Sequence, residues 1–179
     1  KIKCYYNHNV FGKKIDYSKF KYKVPRSKPW SINNIDMAYL IGLWVAEGSY
    51  GKNRINIANG DEDITDWLKS IGFTYNGNVN YGLNRSYVFN LFKHYLKIPS
   101  GALNKKVPSK ILSSSKKEQI AFLQGCFDGD GTSHIKGISY CSISYQLVHD
   151  IHIMLLNFGI KSTIKDVFWK KNKLVNKDS

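Results

Sequence analysis

Two short stretches of this chain, LIGLWVAEG at residues 40–48 and LQGCFDGDG at residues 123–131, repeat one pattern of leucine, small residues, a late acid and a closing glycine. In each, a glycine is followed four residues later by a second small residue, Gly42 by Ala46 and Gly125 by Gly129. Residues four apart share one helix face, so each stretch predicts a helix cut down nearly to backbone on one side, and two such sides can pack unusually closely. The acids Glu47 and Asp130 stand just before Gly48 and Gly131, which read as helix-terminating glycines. The helix dipole disfavours an exposed carboxylate at a C-terminus by roughly 0.3–1 kcal/mol. Accepting that cost twice, at matched places, points to two carboxylates brought together for use, with a divalent metal as the simplest stabilising partner.

The 179 residues, 42% of them hydrophobic, suit one domain with a duplicated interior or two small fused halves. Lysine and arginine outnumber acids 27 to 13, a formal charge of +14, which favours a polyanionic partner, nucleic acid first. No apolar run reaches the ~18 residues that cross a bilayer, so no membrane partner is expected. With no signal-peptide core at the start of the sequence, an intracellular protein is expected. Cys4, Cys126 and Cys141 show no paired spacing of a zinc or disulfide framework, and no two of the five histidines lie four apart on a helix.

Along the chain, residues 1–31 form a basic, aromatic arm in which Lys19 to Val24 alternate as a strand would, broken by Pro25 and Pro29. Asn33 and Asp36 start a helix expected over 35–47. A strand is expected at 54–58, a helix at 61–71 closed by Gly72, strands at 73–79 and 86–91 joined by an asparagine- and glycine-rich turn, and a brief helical turn at 93–96. Ser115 and Glu118 form a capping box for a helix over 116–130, followed by a strand at 138–143, a helix closed by Gly159 and a strand at 162–169. The interval from Gly48 to Gly131 nearly equals that from Gly72 to Gly159, so internal duplication is the economical reading. The halves are 32–112 and 113–179, the second expected to be short at its C-terminus.

With AYLIGLWVAEGSY and AFLQGCFDGDGT in this order, and KKVPSKI leading into the second, the chain resembles the LAGLIDADG (dodecapeptide) homing endonucleases in their single-chain, two-motif form, such as intein- and intron-encoded members. The resemblance implies an α+β fold: a pseudo-twofold αββαββ duplication with two packed motif helices at its centre and two curved antiparallel sheets forming a saddle over DNA. It implies a monomer that cuts both strands of double-stranded DNA at a long asymmetric site, using Mg2+ or another divalent cation such as Mn2+ and leaving short 3′ overhangs. The metal set would be Glu47 and Asp130 with the adjoining Gly48 and Gly131. Asp128 is set aside because Val45 occupies its counterpart. A lysine after the last strand of the first half, Lys105 or Lys106, would approach the reacting phosphate.

On the sheets, Arg54, Asn56, Asn76, Asn78, Arg85, Tyr87, Lys136, Ser139, Lys165 and Trp169 are the candidate readers of DNA, because a two-stranded ribbon fits the major groove. The alternative is a non-catalytic nucleic-acid-binding module of the same scaffold, an RNA maturase or a DNA-binding regulator. Self-splicing is not expected, since no amino-terminal nucleophile, terminal His-Asn pair or Thr-x-x-His block is present.

Overall fold

In the computed structural model, which describes residues 9–10, 13–14, 30, 32–135 and 137–166, the chain is α+β. Residues 9–14 contain a small antiparallel pair, β1 (Asn9–Val10) with β2 (Lys13–Lys14). The alternating stretch at 19–24 lies outside the described residues.

The first half runs α1 (Asn34–Glu47), β3 (Gly48–Gly51), β4 (Arg54–Ala58), α2 (Glu62–Ser70), β5 (Thr74–Tyr75), β6 (Asn80–Leu83) and α3 (Ser86–Asn90), the expected αββαββ order with one helix added. Asn33 caps α1, its Oδ1 accepting from the Asp36 amide at 2.9 Å. Met37, Ala38 and every residue from Leu40 to Ala46 are buried, so α1 is a core helix and lacks a polar face. Four antiparallel strands lie in the order β3-β4-β6-β5. Ile55 and Ile57 of β4 point inward and are fully buried, while Arg54 and Asn56 alternate to the other face, as the spacing predicts.

The second half runs α4 (Ser109–Leu112), α5 (Lys116–Asp130), β7 (Gly131–His134), β8 (Gly137–Tyr140) and α6 (Tyr145–Asn157). The Ser115–Glu118 capping box is formed in both directions, so α5 starts where the sequence places it. Its sheet, among the described residues, is the antiparallel pair β7–β8. Leu147, Ile151 and Met154 bury one face of α6.

Several expectations are corrected. The strand expected at 86–91 is helical: α3 passes into a wider π-helical turn, Leu91–Tyr95. Val88 and its aromatic neighbours carry strand propensity, but the buried side chains of Val88, Leu91, Phe92 and Leu96 recur every three or four residues, and packing overrides propensity. The strand expected at 73–79 shrinks to β5, and β6 occupies residues assigned to the turn. That turn lies at Gly77, Asn78 and Val79, all with positive φ. Strands β3 and β7 were not foreseen, because GSYG and GTSH lack apolar alternation and are held by pairing with β4 and β8. The later strands also shift: 138–143 becomes Gly137–Tyr140, while 162–166 has no regular structure and 167–169 lies outside the described residues.

Candidate functional site

The site is built where α1 and α5 cross. A β-carbon added at Gly42 would stand 2.9 Å from the Phe122 carbonyl carbon and 3.0 Å from the Cys126 amide nitrogen. One added at Gly125 would run into the Tyr39 carbonyl and come within 2.7 Å of the Leu43 amide nitrogen. Each glycine therefore faces the other helix's backbone, and Gly129 is stacked against Ala46. Cys126 Sγ, fully buried, donates to the Gly42 carbonyl at 3.5 Å. The small-residue stripes do what their spacing predicts.

At the same end of this crossing α1 delivers Glu47 and α5 delivers Asp130. Gly48 and Gly131 are not left-handed caps: both are extended, with φ −83°, and each begins a strand directly. They are glycines for another reason. A β-carbon at Gly48 would strike the Trp44 ring and carbonyl, and one at Gly131 the Phe127 backbone, in the turn just completed. Helix passes to strand with no loop, so each acid is anchored on both sides.

Both carboxylates are half-buried, and burial pushes the pKa of each above the ordinary range. The charge of Asp130 pushes Glu47 up further, while an Asn59 hydrogen bond and Lys105 oppose the rise. Asn59 Nδ2 donates to Glu47 Oε2 at 2.8 Å. Lys105, buried, donates from Nζ to the Ala46 carbonyl at 2.7 Å, and its charge acts on both acids. Burial lowers its own pKa against the attraction of Asp130, Cys126 and Glu47. The connector holding Lys105 is pinned by the second half: Ser144 Oγ donates to the Lys105 carbonyl at 2.5 Å, and the Val107 amide donates to Asp150 Oδ2 at 3.1 Å. Lys106 is exposed and takes no part in this cluster. Asp128 instead accepts from the Tyr39 hydroxyl at 2.9 Å, across the crossing. The hydroxyl of Tyr140, buried and without a hydrogen-bond partner among the described residues, is raised in pKa mainly by burial, with Cys126 and Asp130 adding to it.

The candidate DNA readers separate. Arg54 and Asn56 lie on the outer face of the four-stranded sheet, where Ser49 pairs with Asn56 and Asn56 with Gly82. Asn76 reaches the same face, its amide lying over Gly82, and Asn78 is exposed in the turn beside it. Arg85 stands at the start of α3 instead of on a strand. Tyr87 is no outward residue: helix α3 turns it inward, where its hydroxyl donates to the Trp30 carbonyl at 3.1 Å. Ser139 is exposed on β8 and Lys165 is exposed in the irregular tail, whereas Lys136 and Trp169 lie outside the described residues. Sequence reasoning missed Asn59 and Tyr140; the Asn-Gly-Asp after β4 signals a turn in which an asparagine side chain bonds to nearby backbone, and that is the signal available for Asn59.

Residues 117–176, which hold the second motif and the segment after it, match the model of a LAGLIDADG-like domain. The chain carries a LAGLIDADG-like domain. Similar stretches occur in an ATP-dependent DNA helicase of Thermococcus kodakarensis (28% identity over 79% of this chain), a DNA polymerase of Thermococcus sp. (29% over 76%) and a DNA-directed RNA polymerase subunit of Methanocaldococcus jannaschii (30% over 73%). The matched stretch spans only 14%, 9% and 17% of those proteins. Among the described residues, no helix of this chain is long and apolar enough to cross a membrane.

Proposed function

We propose that this chain is a site-specific double-strand DNA endonuclease. The observation that carries the reading is the convergence of Glu47, Asp130 and Lys105 at one end of a backbone-to-backbone helix crossing. Surface charge supports a polyanionic target: the formal charge is +14, and among the described residues the one ion pair is Lys69–Asp66 at 2.7 Å. Uncompensated lysines favour phosphate contacts and strongly salt-dependent binding. A helicase, a DNA polymerase and an RNA polymerase subunit share this stretch as a minor part of their length, which supports an element inserted into unrelated host genes, as an intein or intron product would be. A monomer acting on a long asymmetric site accords with two non-identical halves.

The donor set fits a divalent cation such as Mg2+ or Mn2+. Two oxygen ligands of like charge, each disfavoured as an anion by burial, are stabilised by a cation, and magnesium needs only one or two protein carboxylates when phosphates complete its shell. When bound, the ion supplies Lewis-acid stabilisation of the phosphoryl oxygens and a more acidic water. Glu47 and Asp130 would hold it, each facing one strand of the duplex. Lys105 Nζ, with N–H groups beyond the one given to Ala46, would donate to a phosphate oxygen or to the departing 3′ oxygen. The outer sheet face bearing Arg54, Asn56 and Asn76 would lie in the major groove and fix the register.

A cleavage selection over a randomised DNA library with Mg2+ identifies the target. Glu47→Gln and Asp130→Asn are then expected to bind it and to lose cleavage. Undiminished cutting of both strands by both variants would reject the assignment, and RNA protection without nicking of any DNA would favour the maturase alternative.

A further inference from the structure

We propose that Asn59 is a positioning residue that holds the Glu47 carboxylate in one orientation and thereby makes the two acidic centres unequal. The proposal rests on the endonuclease reading for its consequence, though not for its geometry. Asn59 follows β4 directly, is 7% exposed, and has both ends of its side chain committed. Oδ1 accepts from the Asp61 amide at 2.8 Å, so Nδ2 must be the end that faces Glu47, which it meets at 2.8 Å. A backbone N–H can only donate, and this fixes the orientation of the side-chain amide. The backbone is tied as well: the Asn59 amide donates to the Val79 carbonyl at 2.9 Å.

The second half offers a built-in comparison. Gly48 pairs with Ile57 and Gly131 with Tyr140, so the residue two beyond each partner is Asn59 in one half and Ser142 in the other. Ser142 reproduces the turn, its Oγ accepting from the Ser144 amide at 3.2 Å. It has no second polar atom to extend, and among the described residues the Asp130 carboxylate makes no side-chain hydrogen bond. Glu47 is therefore clamped at one oxygen, whereas Asp130, half-buried and near the charge of Lys105, has no such clamp among the described residues. Loss of a residue that orients a ligand typically costs about 10–100-fold in metal affinity or activity.

Asn59→Ser separates the two jobs, since serine keeps the turn as Ser142 does and cannot reach the acid. With supercoiled plasmid carrying the selected target and Mg2+, this variant is expected to stay folded, melting about 2–4 °C below the wild type for the lost hydrogen bond, and to accumulate nicked circle, one strand being cut about 10–100-fold more slowly. Ser142→Ala is expected to cut both strands as before. Equal slowing of the two strands by Asn59→Ser, or none, overturns the proposal. A second measurement keeps the result separate from the endonuclease reading: the side-chain 1H–15N amide resonance of Asn59 is expected to shift in Glu47→Ala. If the wild type cuts no DNA, the endonuclease reading falls and this resonance decides the proposal. A shift upholds the Asn59–Glu47 tie, and an unmoved resonance overturns it.

Discussion

Gly42→Ala tests the crossing on which the site depends. The added methyl would meet the Phe122 carbonyl carbon at 2.9 Å and the Cys126 amide nitrogen at 3.0 Å, inside ordinary contact. Both obstacles are main chain and cannot rotate away, so α5 must retreat by about half an ångström or more, which forfeits a quarter to a half of the dispersion attraction of contacts along the seam. Overpacking of a core typically costs about 1–3 kcal/mol, and a rigid obstacle places this case at the upper end. Alanine returns about 1 kcal/mol of helix propensity, leaving a net loss of about 2 kcal/mol. For a chain of this length that is a fall in melting temperature of roughly 4–8 °C by calorimetry. Gly60→Ala is the control: its added carbon would find only Val79 Cγ1 at 3.7 Å, so this variant is expected to be neutral or to gain about 0.4–1 kcal/mol. Equal melting temperatures for Gly42→Ala and the wild type would refute the reasoning, whatever the activity.

Glu47 and Asp130 have pKa values raised by burial, so they favour folding when protonated; without divalent ions, stability is expected to fall as pH rises from about 4 through their raised values. Calorimetry across that window should show a flatter profile in Glu47→Gln and Asp130→Asn, and an identical slope would contradict the assignment. Tyr87→Phe removes the hydroxyl bond to the Trp30 carbonyl and is expected to cost about 1 kcal/mol in urea unfolding with DNA affinity unchanged. A selective loss of DNA affinity would instead make Tyr87 a reader. Val79, β-branched at φ 56°, sits where asparagine is tolerated far better, so Val79→Asn is expected to raise stability by about 0.5–1 kcal/mol.

The central crossing was legible because it rests on a spacing: glycine and a small residue four apart, twice, followed by an acid. Helix starts at Asn33 and Ser115 were equally legible, since a cap is a local hydrogen bond between near neighbours. What escaped the sequence was set by contacts far along the chain. Residues 48–51 and 131–134 are strands only because β4 and β8 pair with them, and Tyr87 turns inward because α3 packs as a helix despite strand-like composition. Asn59 reads as a turn residue, and only the fold brings Glu47 to its amide. Lys105 and Lys106 are indistinguishable in sequence; the Ser144 contact to the Lys105 backbone, with Val107 tied to Asp150, sets which one turns inward.

The absence of any loop between helix and strand at Gly48 and Gly131 couples grip to geometry. A tilt of β3 or β7 on whatever the sheets hold reaches the neighbouring carboxylate through a single peptide unit, with nothing slack to absorb it. If the sheets hold the DNA of the proposed function, a well-seated duplex would leave the two acids where the crossing puts them, and a poorly seated one would pull them out of alignment.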